Sequence, residues 1–227
     1  MKKHCKANKT LRGKRQIMEQ MNYAKWLTGK LGEISKLPEK PKLLLHACCA
    51  PCSSYVIEYL APYFDIDLLF YNPNIQPYEE YVRRANELVT LPAKSGIDAK
   101  VIICPYTPED FLRIAKGKED DPEGGERCTG CFGLRLGYTA KYASDNEYDF
   151  FCTTLSVSPY KNARLLNSIG EKMSQLYGVR YLFSDFKKND GYKKSCQLSQ
   201  KLGLYRQDYC GCIYSKAERM KRTGMTE

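Results

Sequence analysis

The sequence predicts an α/β protein in which a parallel sheet is covered by helices on both faces. Short apolar runs, beginning with 43–45, are typical of strands that are buried on both faces. These runs alternate with helical segments from residue 42 onward, and such alternation favours a parallel sheet. With 227 residues the chain is long enough for a single domain of this kind, which we predict to occupy 42–227.

The predicted elements follow one another regularly along this domain. Strands are predicted at 42–45, 66–71, 99–104, 148–155 and 180–183. Helices are predicted at 51–63, 78–91, 132–143 and 161–177. A further helix is predicted to begin at Thr107 or Glu109, because a hydroxyl or an early carboxylate can satisfy free N–H groups there. The polar, glycine-rich residues 116–127 are predicted to form a loop.

Residues 1–41 are predicted to be a basic extension, with a disordered segment at 1–15 and a helix with one apolar stripe at 16–31. Residues 1–42 hold 12 Lys or Arg against 3 Asp or Glu, so most of the net charge of +10 belongs to this segment. A polyanion such as RNA would gain affinity from it through counterion release. A solvated tail that only aids solubility is the alternative, and the sequence leaves both open.

The chain lacks sequence signals for a membrane or for secretion. No stretch of about 18 apolar residues occurs, and the basic N-terminus has no apolar segment of the signal-peptide kind. We therefore predict a cytoplasmic protein without a membrane partner. Neither G-x-G-x-x-G nor the P-loop pattern is present, so no phosphate-cradling loop is predicted.

Seven of the eleven cysteines fall into three tight groups: Cys48, Cys49 and Cys52; Cys128 and Cys131; Cys210 and Cys212. The first group follows the first strand and opens a helix, because Pro51 suits a first helical turn. Ligands bind beyond the carboxyl ends of parallel strands, and a helix N-terminus favours thiolate over thiol. The groups therefore predict a metal site or a redox site.

The thiols leave three kinds of chemistry open. Four thiolates can bind zinc or hold an iron–sulfur cluster, and a metal-free dithiol can carry electrons. We expect the adjacent Cys48 and Cys49 to point in different directions, which suits a large cluster or two metal centres better than one zinc ion. The Cys210-Gly211-Cys212 spacing suits adjacent metal ligands or a strained disulfide, because glycine supplies the backbone freedom of a tight turn.

Two polar loops after predicted strands are candidates for a substrate wall. The loop at 72–77 precedes a charged helical turn, and the loop at 153–162 is rich in hydroxyls and holds one lysine. Because both lie at the carboxyl edge of the sheet, we expect them to converge on the cysteines. His46 ends the first strand, where a histidine is more often a structural hydrogen-bonder than a ligand or an acid.

Together the motifs resemble the epoxyqueuosine reductases of the QueH type over about residues 43–215. The resemblance rests on five motifs: His46-x-Cys48-Cys49-Ala50-Pro51-Cys52; Tyr71-Asn72-Pro73-Asn74-Ile75 with Glu80, Tyr81 and Arg83; Glu126-Arg127-Cys128-x-x-Cys131 with Arg135 and Leu136; Thr153-Thr154-Leu155 with Ser158; and Tyr205-Arg206-Gln207-x-Tyr209-Cys210-Gly211-Cys212. Their order along the chain makes the combination more specific than any single motif.

This resemblance implies an oxidoreductase of queuosine biosynthesis. Such an enzyme removes the epoxide oxygen of epoxyqueuosine at the tRNA wobble position by a two-electron reduction, without cobalamin. It would act on tRNAs with a G-U-N anticodon, those for Asp, Asn, His and Tyr, with an external electron donor. The implied fold is similar to the adenine-nucleotide alpha-hydrolase-like, Rossmann-type proteins.

The resemblance also implies roles for residues. A 4Fe-4S cluster would be held by Cys48, Cys49, Cys128 and Cys131. Cys210 and Cys212 would form a redox-active pair or, together with Cys52, ligate an additional mononuclear iron. Because opening an epoxide requires a proton for the departing oxygen, we expect His46 or an acidic residue such as Glu80 or Glu126 to supply it. The implied substrate-binding residues are Tyr71, Asn72, Asn74, Glu80, Tyr81, Arg83, Thr154, Ser158, Arg206 and Gln207.

Two other functions compete with this interpretation. A cluster-dependent tRNA sulfur transferase of similar fold would carry an S-G-G-x-D-S loop after the first strand, where this chain has His46-Ala47-Cys48-Cys49. Consumption of ATP would distinguish that enzyme. A zinc-stabilised RNA-binding module would hold zinc and would lack iron and sulfide.

Overall fold

The computed structural model describes residues 21–224 and confirms the predicted fold class. Five strands form one parallel sheet with helices on both faces. The strands are β1 (Lys42–His46), β2 (Asp65–Phe70), β3 (Ala99–Ile103), β4 (Phe150–Thr153) and β5 (Arg180–Tyr181). The helices are α1 (Tyr23–Ile34), α2 (Ala50–Leu60), α3 (Tyr78–Ser95), α4 (Pro108–Ala115), α5 (Glu126–Asp145), α6 (Ala163–Tyr177), α7 (Gly191–Lys201) and α8 (Ile213–Thr223).

The strand order is β3-β2-β1-β4-β5, so the chain winds outward from β1 in one direction and from β4 in the other. The switch point between the two windings lies at the carboxyl ends of β1 and β4. Ligands bind at such a crevice in open α/β sheets. In the register of the sheet, His46 stands beside Leu69 on one side and Thr153 on the other.

The core is divided by the sheet, and the side chains of β1 alternate between its two faces. Leu43 and Leu45 belong to the apolar cluster under α1, α2 and α3. Leu44 belongs to the cluster under α5 and α6. Because all three leucines are fully buried, β1 is covered on both faces, as its unbroken apolar run predicts.

The described part of the N-terminal extension packs onto the domain. Leu27, Leu31 and Ile34 on α1 are buried in the same cluster as Leu43, and Asn22 caps the helix by accepting a hydrogen bond from the Lys25 N–H. The predicted disordered segment at 1–15 and the first residues of the predicted helix lie outside the described residues. Between residues 21 and 224, no helix combines the length and apolar character needed to span a bilayer.

The predicted beginning of α5 is wrong. The sequence predicts a loop to residue 127 and a helix from 132, but the helix begins at Glu126, so Cys128 and Cys131 lie on it. The reason is a set of hydrogen bonds that the glycine-rich composition does not indicate. The Asp121 carboxylate accepts the Arg127 N–H at 2.8 Å, and the Arg127 guanidinium donates to the carbonyls of Lys118 and Glu119 at 2.9 and 2.8 Å.

Two further boundaries differ from the predictions, whereas the predicted start of α4 is confirmed. Thr107 occupies the N-cap position before Pro108, although its hydroxyl does not cap the helix. The predicted strand at 148–155 ends at Thr153, because residues 154–157 turn into a 3₁₀-helix. The predicted strand at 180–183 has only two residues paired with β4, Arg180 and Tyr181.

Candidate active site

A cavity of about 600 Å³ opens at the switch point of the sheet. Its walls come from six parts of the chain: the turn after β1 with the start of α2, the loop before α5, helix α5, the residues after β4, helix α7, and residues 206–210 with the adjoining α8. Cys48, Cys52 and Cys210 face this cavity, so two of the three cysteine groups reach it. The remaining group, Cys128 and Cys131 on α5, lines a much smaller cavity beside it.

The first cysteine group is compact. The Sγ atoms of Cys48, Cys49 and Cys52 all lie within 4.8 Å of one another, and those of Cys48 and Cys49 are 3.7 Å apart. The expectation that Cys48 and Cys49 point in different directions is therefore wrong. The chain turns from strand to helix at Cys49, whose extended backbone precedes the first residue of α2. Thiolates on one tetrahedral metal with 2.3 Å bonds lie about 3.8 Å apart, so this spacing also suits a mononuclear ion.

Hydrogen bonding and burial favour a thiolate at Cys48 and a neutral thiol at Cys49. The thiols of Cys49 and Cys52 hold the pKa of Cys48 well below its usual range, because both donate to its thiolate. Burial raises the pKa of Cys49 to about 12. The backbone N–H of Cys48 donates to Thr154 Oγ1 at 3.4 Å, which ties this group to the end of β4.

The second and third cysteine groups meet at the smaller cavity, which is lined by Cys128, Cys131, Cys210 and Cys212. Burial raises the pKa of Cys131 to about 12, with the nearby arginine Arg135 opposing it. The structure therefore brings all three predicted groups to one place, with Cys210 shared by both cavities. All ten cysteines of the described chain are free thiols, so the redox pair of Cys210 and Cys212 stays a prediction.

Gly211 has the backbone freedom that its place in the Cys-x-Cys turn predicts. Its φ is +126°, and a Cβ there would lie 2.9 Å from Ile75 Cγ1 and 3.1 Å from Arg84 Nη1. Its carbonyl accepts the Gln76 N–H at 2.9 Å. The turn is thus held against the loop after β2.

Gly211→Ala is expected to destabilise the protein by about 1–3 kcal/mol, because alanine is strained at this φ and collides with Ile75 and Arg84. Urea unfolding at equal pH and salt measures the change. Gly133→Ala on α5 is the control, since nothing lies within 4 Å of a Cβ there and the helix gains a better helix former. Equal unfolding midpoints for the two variants would contradict this account of the turn.

His46 is fully buried behind the cysteines and does not line either cavity. Its Nδ1 lies 3.0 Å from Thr153 Oγ1 and its Nε2 lies 3.2 Å from the Tyr71 carbonyl oxygen. Burial, followed by the charge of Arg135, lowers the pKa of His46 to about 4, so the ring is neutral at pH 7. Its contacts join three strand ends, and its predicted role as a proton donor stays a prediction that these surroundings disfavour.

Three of the predicted substrate-binding residues, Ser158, Arg206 and Gln207, line the larger cavity. Gln207 Oε1 is buried without a hydrogen-bond partner, so it is available to a ligand. Arg206 donates to Ser199 Oγ at 3.1 Å, which fixes its position. Thr154 lies one step behind the cavity wall, with its hydroxyl 3.7 Å from the Cys48 sulfur.

Asn72 and Asn74 lie in the loop after β2, and both are buried on the side of helix α5. Asn72 Nδ2 donates to the Ala47 carbonyl at 2.9 Å, and its Oδ1 faces Arg135 Nη1 at 3.5 Å. Asn74 lines the smaller cavity, and its Oδ1 has no partner. Asn74 therefore faces the cysteines of α5 and Asn72 faces Arg135, and neither lines the larger cavity.

Four other predicted substrate residues support the site without facing either cavity. Tyr71 stacks on Tyr138 with ring centres 3.9 Å apart, and the Tyr81 hydroxyl donates to the Cys104 carbonyl at 2.7 Å. Glu80 accepts from Arg84 Nε at 2.6 Å, while the Arg83 guanidinium lies 3.3 Å from the Tyr205 ring centre.

Arg84 links Glu80 to the third cysteine group, because its Nη1 donates a hydrogen bond to the Cys210 carbonyl at 3.1 Å. The predicted proton donors Glu80 and Glu126 do not line either cavity. Glu126 instead projects from the start of α5, with its side chain 81% exposed.

Sequence reasoning missed an ion pair in the cavity wall. Lys161 Nζ donates to Glu123 Oε1 at 2.6 Å, and both residues line the larger cavity. Although burial opposes it, interaction with Cys210 and Glu123 raises the pKa of Lys161, so its ammonium stays charged. Lys161 in the hydroxyl-rich loop was a sequence signal for this ion pair, but its partner Glu123 lies 38 residues away along the chain.

The rim of the larger cavity is aromatic and basic. Tyr160 on this rim is 72% exposed, and Tyr192 stands on the same rim at the start of α7. Arg219 and Arg222 from α8 also line the opening. The i, i+3 spacing of these two arginines in a basic C-terminal segment is a signal that would have placed them on one helical face.

Comparison with known proteins gives consistent matches. The sequence model of the family described as "Epoxyqueuosine reductase QueH" matches residues 43–218. A protein named "Epoxyqueuosine reductase QueH" from Staphylococcus epidermidis is 43% identical over 203 residues, covering 87% of this chain and 85% of the relative. Its namesake from Thermotoga maritima is 34% identical over 183 residues, covering 79% of this chain and 93% of the relative.

A solved structure described as a predicted subunit of tRNA methyltransferase from Methanocaldococcus jannaschii matches more loosely. Its TM-score is 0.45 at 14% identity, covering 81% of this chain and 89% of that one.

Proposed function

The chain belongs to the epoxyqueuosine reductase QueH family, and on this premise we propose that it reduces epoxyqueuosine in tRNA to queuosine. In this reaction two electrons and two protons remove the epoxide oxygen as water and leave a carbon–carbon double bond. The observation that carries the proposal is the convergence of three cysteine groups at the switch point of the sheet, where six thiols line two adjoining cavities and the seventh, Cys49, lies within 4.8 Å of Cys48 and Cys52. The chain is thus assigned as an oxidoreductase.

The residues present fit an anionic metal group. Thiols are the donors that iron–sulfur clusters use, and buried guanidinium atoms without partners, such as Arg135 Nη2, face the cysteines. We propose that Cys48, Cys49, Cys128 and Cys131 hold a 4Fe-4S cluster. Cys210 and Cys212 then form a redox pair or, with Cys52, hold an additional iron. When bound, such a group supplies single electrons from an external donor and an electrophile for oxygen, so no cobalamin is invoked.

The residues of the larger cavity would bind and orient the substrate. The Lys161 ammonium is a charged hydrogen-bond donor that can stabilise the oxygen as its bond to carbon breaks. Gln207 Oε1 offers an unpaired acceptor to a hydroxyl of the substrate. We propose that the Lys161–Glu123 pair, rather than His46, carries the proton to this oxygen, because the pair lines the cavity and His46 does not.

The rim would hold the surrounding RNA. A modified base in an anticodon loop is unpaired, so it can be turned into a cavity of about 600 Å³ while its neighbours stack on aromatic side chains. Tyr160 offers an exposed ring, and Arg206, Arg219 and Arg222 offer phosphate contacts. The proposed substrates are the G-U-N tRNAs for Asp, Asn, His and Tyr, and the proposed location is the cytoplasm.

The deciding experiment is anaerobic purification and reconstitution with iron and sulfide, followed by turnover of tRNA that contains epoxyqueuosine. About four irons with matching sulfide, a chromophore that bleaches on reduction, and queuosine as the product are expected. Zinc alone, without iron or sulfide, would favour the RNA-binding module. Consumption of ATP with incorporation of sulfur into tRNA would favour the sulfur transferase.

Deletion of residues 1–15 is expected to weaken tRNA binding and to flatten its salt dependence. The segment holds 7 Lys or Arg, each able to release counterions on contact with phosphate. Binding is measured by filter retention between about 50 and 200 mM salt. The control is a full-length chain whose Lys and Arg in 1–15 are all changed to Gln, which should behave like the deletion. Unchanged affinity at every salt concentration would mean that residues 1–15 do not contribute to tRNA binding and act only as a solvated tail.

A further inference from the structure

Three arginines are almost completely buried around the cysteines, and one of them lacks a carboxylate partner. Arg84 pairs with Glu80 at 2.6 Å, and Arg127 pairs with Glu218 at 3.4 Å. Arg135 donates instead to the Cys131 carbonyl at 3.3 Å and faces Asn72 Oδ1 at 3.5 Å. Among residues 21–224 no acidic side chain pairs with Arg135, and its Nη2 is buried without a partner. A buried cation without a counter-ion is unfavourable, so this position requires an anion.

The surroundings of Arg135 identify that anion. Its guanidinium interacts electrostatically with Cys131, Cys210, Cys48 and Cys128, thiols that belong to all three cysteine groups. Arg135 also forms part of the wall of both cavities. The missing negative charge is therefore the thiolate set itself together with whatever metal group it holds.

We propose that Arg135 is the counter-charge of this metal group and that it raises the reduction potential of the group. It acts as a positioning residue, because its buried guanidinium supplies charge and a hydrogen-bond donor to the metal group rather than to the reacting atoms. The inference rests on the proposed function, since it assumes that the cysteines hold a redox metal group. Net charge and hydrogen bonds to sulfur are among the factors that set such potentials.

The loop after β2 holds Arg135 in place. Asn72 is fixed by its Nδ2 hydrogen bond to the Ala47 carbonyl, which aims its Oδ1 at the guanidinium. Ala47 directly precedes Cys48, so one asparagine links the turn of the first cysteine group to Arg135. This arrangement explains a buried asparagine at a position where the substrate cavity does not reach.

The test compares Arg135→Met, which removes the charge, with Arg135→Lys, which keeps it. Redox titration of the reconstituted proteins, followed by visible and spin-resonance spectra, measures the midpoint potential. Arg135→Met is expected to shift the potential negative by enough to change the reduced-to-oxidised ratio about tenfold, or about 59 mV for one electron. Arg135→Lys should keep most of the wild-type value. Arg113→Met is the control, since this arginine is exposed on α4 and its charge is screened.

An unchanged potential in Arg135→Met at full iron content would overturn the proposal. An equal shift in Arg135→Lys would also overturn it, because shape rather than charge would then be responsible.

A second measurement uses the metal-free protein, in case Arg135→Met does not assemble the metal group. Removing an uncompensated buried charge should leave the urea midpoint unchanged or higher, whereas a purely structural arginine would lower it. A lower midpoint therefore overturns the proposal.

If the wild-type chain holds zinc instead of iron, the proposed redox function fails, and zinc affinity then tests the counter-charge directly. Arg135→Met should bind zinc about tenfold more weakly than Arg113→Met. Equal affinity of these two variants would overturn the proposal.

Discussion

Replacement of Cys128 by alanine is expected to abolish the visible chromophore of the reconstituted protein and its turnover of epoxyqueuosine together. Cys128 lies in the first turn of α5 and lines the smaller cavity with Cys131, Cys210 and Cys212. Among residues 21–224 its sulfur accepts one hydrogen bond, from the Gly124 N–H at 3.3 Å, and we propose it as a ligand of the cluster. Alanine removes a thiolate that the proposed cluster cannot replace. Iron and sulfide content, the visible spectrum and single-turnover product formation measure the effect.

Cys104→Ala is the matched control for Cys128→Ala. Cys104 is buried at the end of β3, outside the three cysteine groups, so its loss should leave iron content and turnover near wild type. Both variants should keep the far-ultraviolet circular dichroism of the wild type. A Cys128→Ala protein with full iron content and full turnover would remove Cys128 from the ligand set. The cluster would then have to be held by other thiols.

The parts of the fold that the sequence predicts are those that depend on local pattern. The apolar run of β1 predicts a central strand, and β1 is covered on both faces. The first cysteine group is predicted at a strand end because its motif follows an apolar run, and Cys48 does lie beside the end of β4 through Thr154. The family resemblance is confirmed by the match of the family over residues 43–218.

The start of α5 and the direction of Cys49 were predicted wrongly, because they depend on contacts and a chain bend that a sequence pattern does not show. Residues 116–127 resemble a loop in composition, yet the Asp121 carboxylate captures the Arg127 N–H and starts the helix early. Adjacent residues in a regular strand point apart, but the chain changes from strand to helix at Cys49. In both cases a single local bend or hydrogen bond changes which thiols can meet.

Burial decides the roles that residue type alone leaves open. A histidine beside cysteines is a candidate acid, but His46 is enclosed by three strand ends and its pKa falls to about 4. An arginine in a motif is a candidate ligand for phosphate, but Arg135 is buried beside the cysteines in the wall of both cavities. The Lys161–Glu123 pair was missed for the related reason that the two residues come from different loops.

Lys161→Met is expected to lower kcat by about 10²–10³ with little change in KM, because the ammonium is proposed to stabilise the oxygen only as its bond to carbon breaks. Lys161 is held by Glu123 at 2.6 Å in the wall of the larger cavity, so its charge is already in position before the reaction. Methionine keeps the length of the side chain. Single-turnover reduction of epoxyqueuosine tRNA, with iron content measured in parallel, gives the chemical step apart from cluster assembly.

The control for this variant is Lys172→Met, which removes the same charge from an exposed position on α6 and should leave kcat unchanged. Lys161→Arg should recover part of the rate, since it keeps a positive donor. If Lys161→Met instead raised KM at unchanged kcat, the lysine would bind RNA equally before and during the reaction. Lys161 would then belong with Arg219 and Arg222 to the RNA-binding rim. The charge that stabilises the departing oxygen would have to come from the metal group alone.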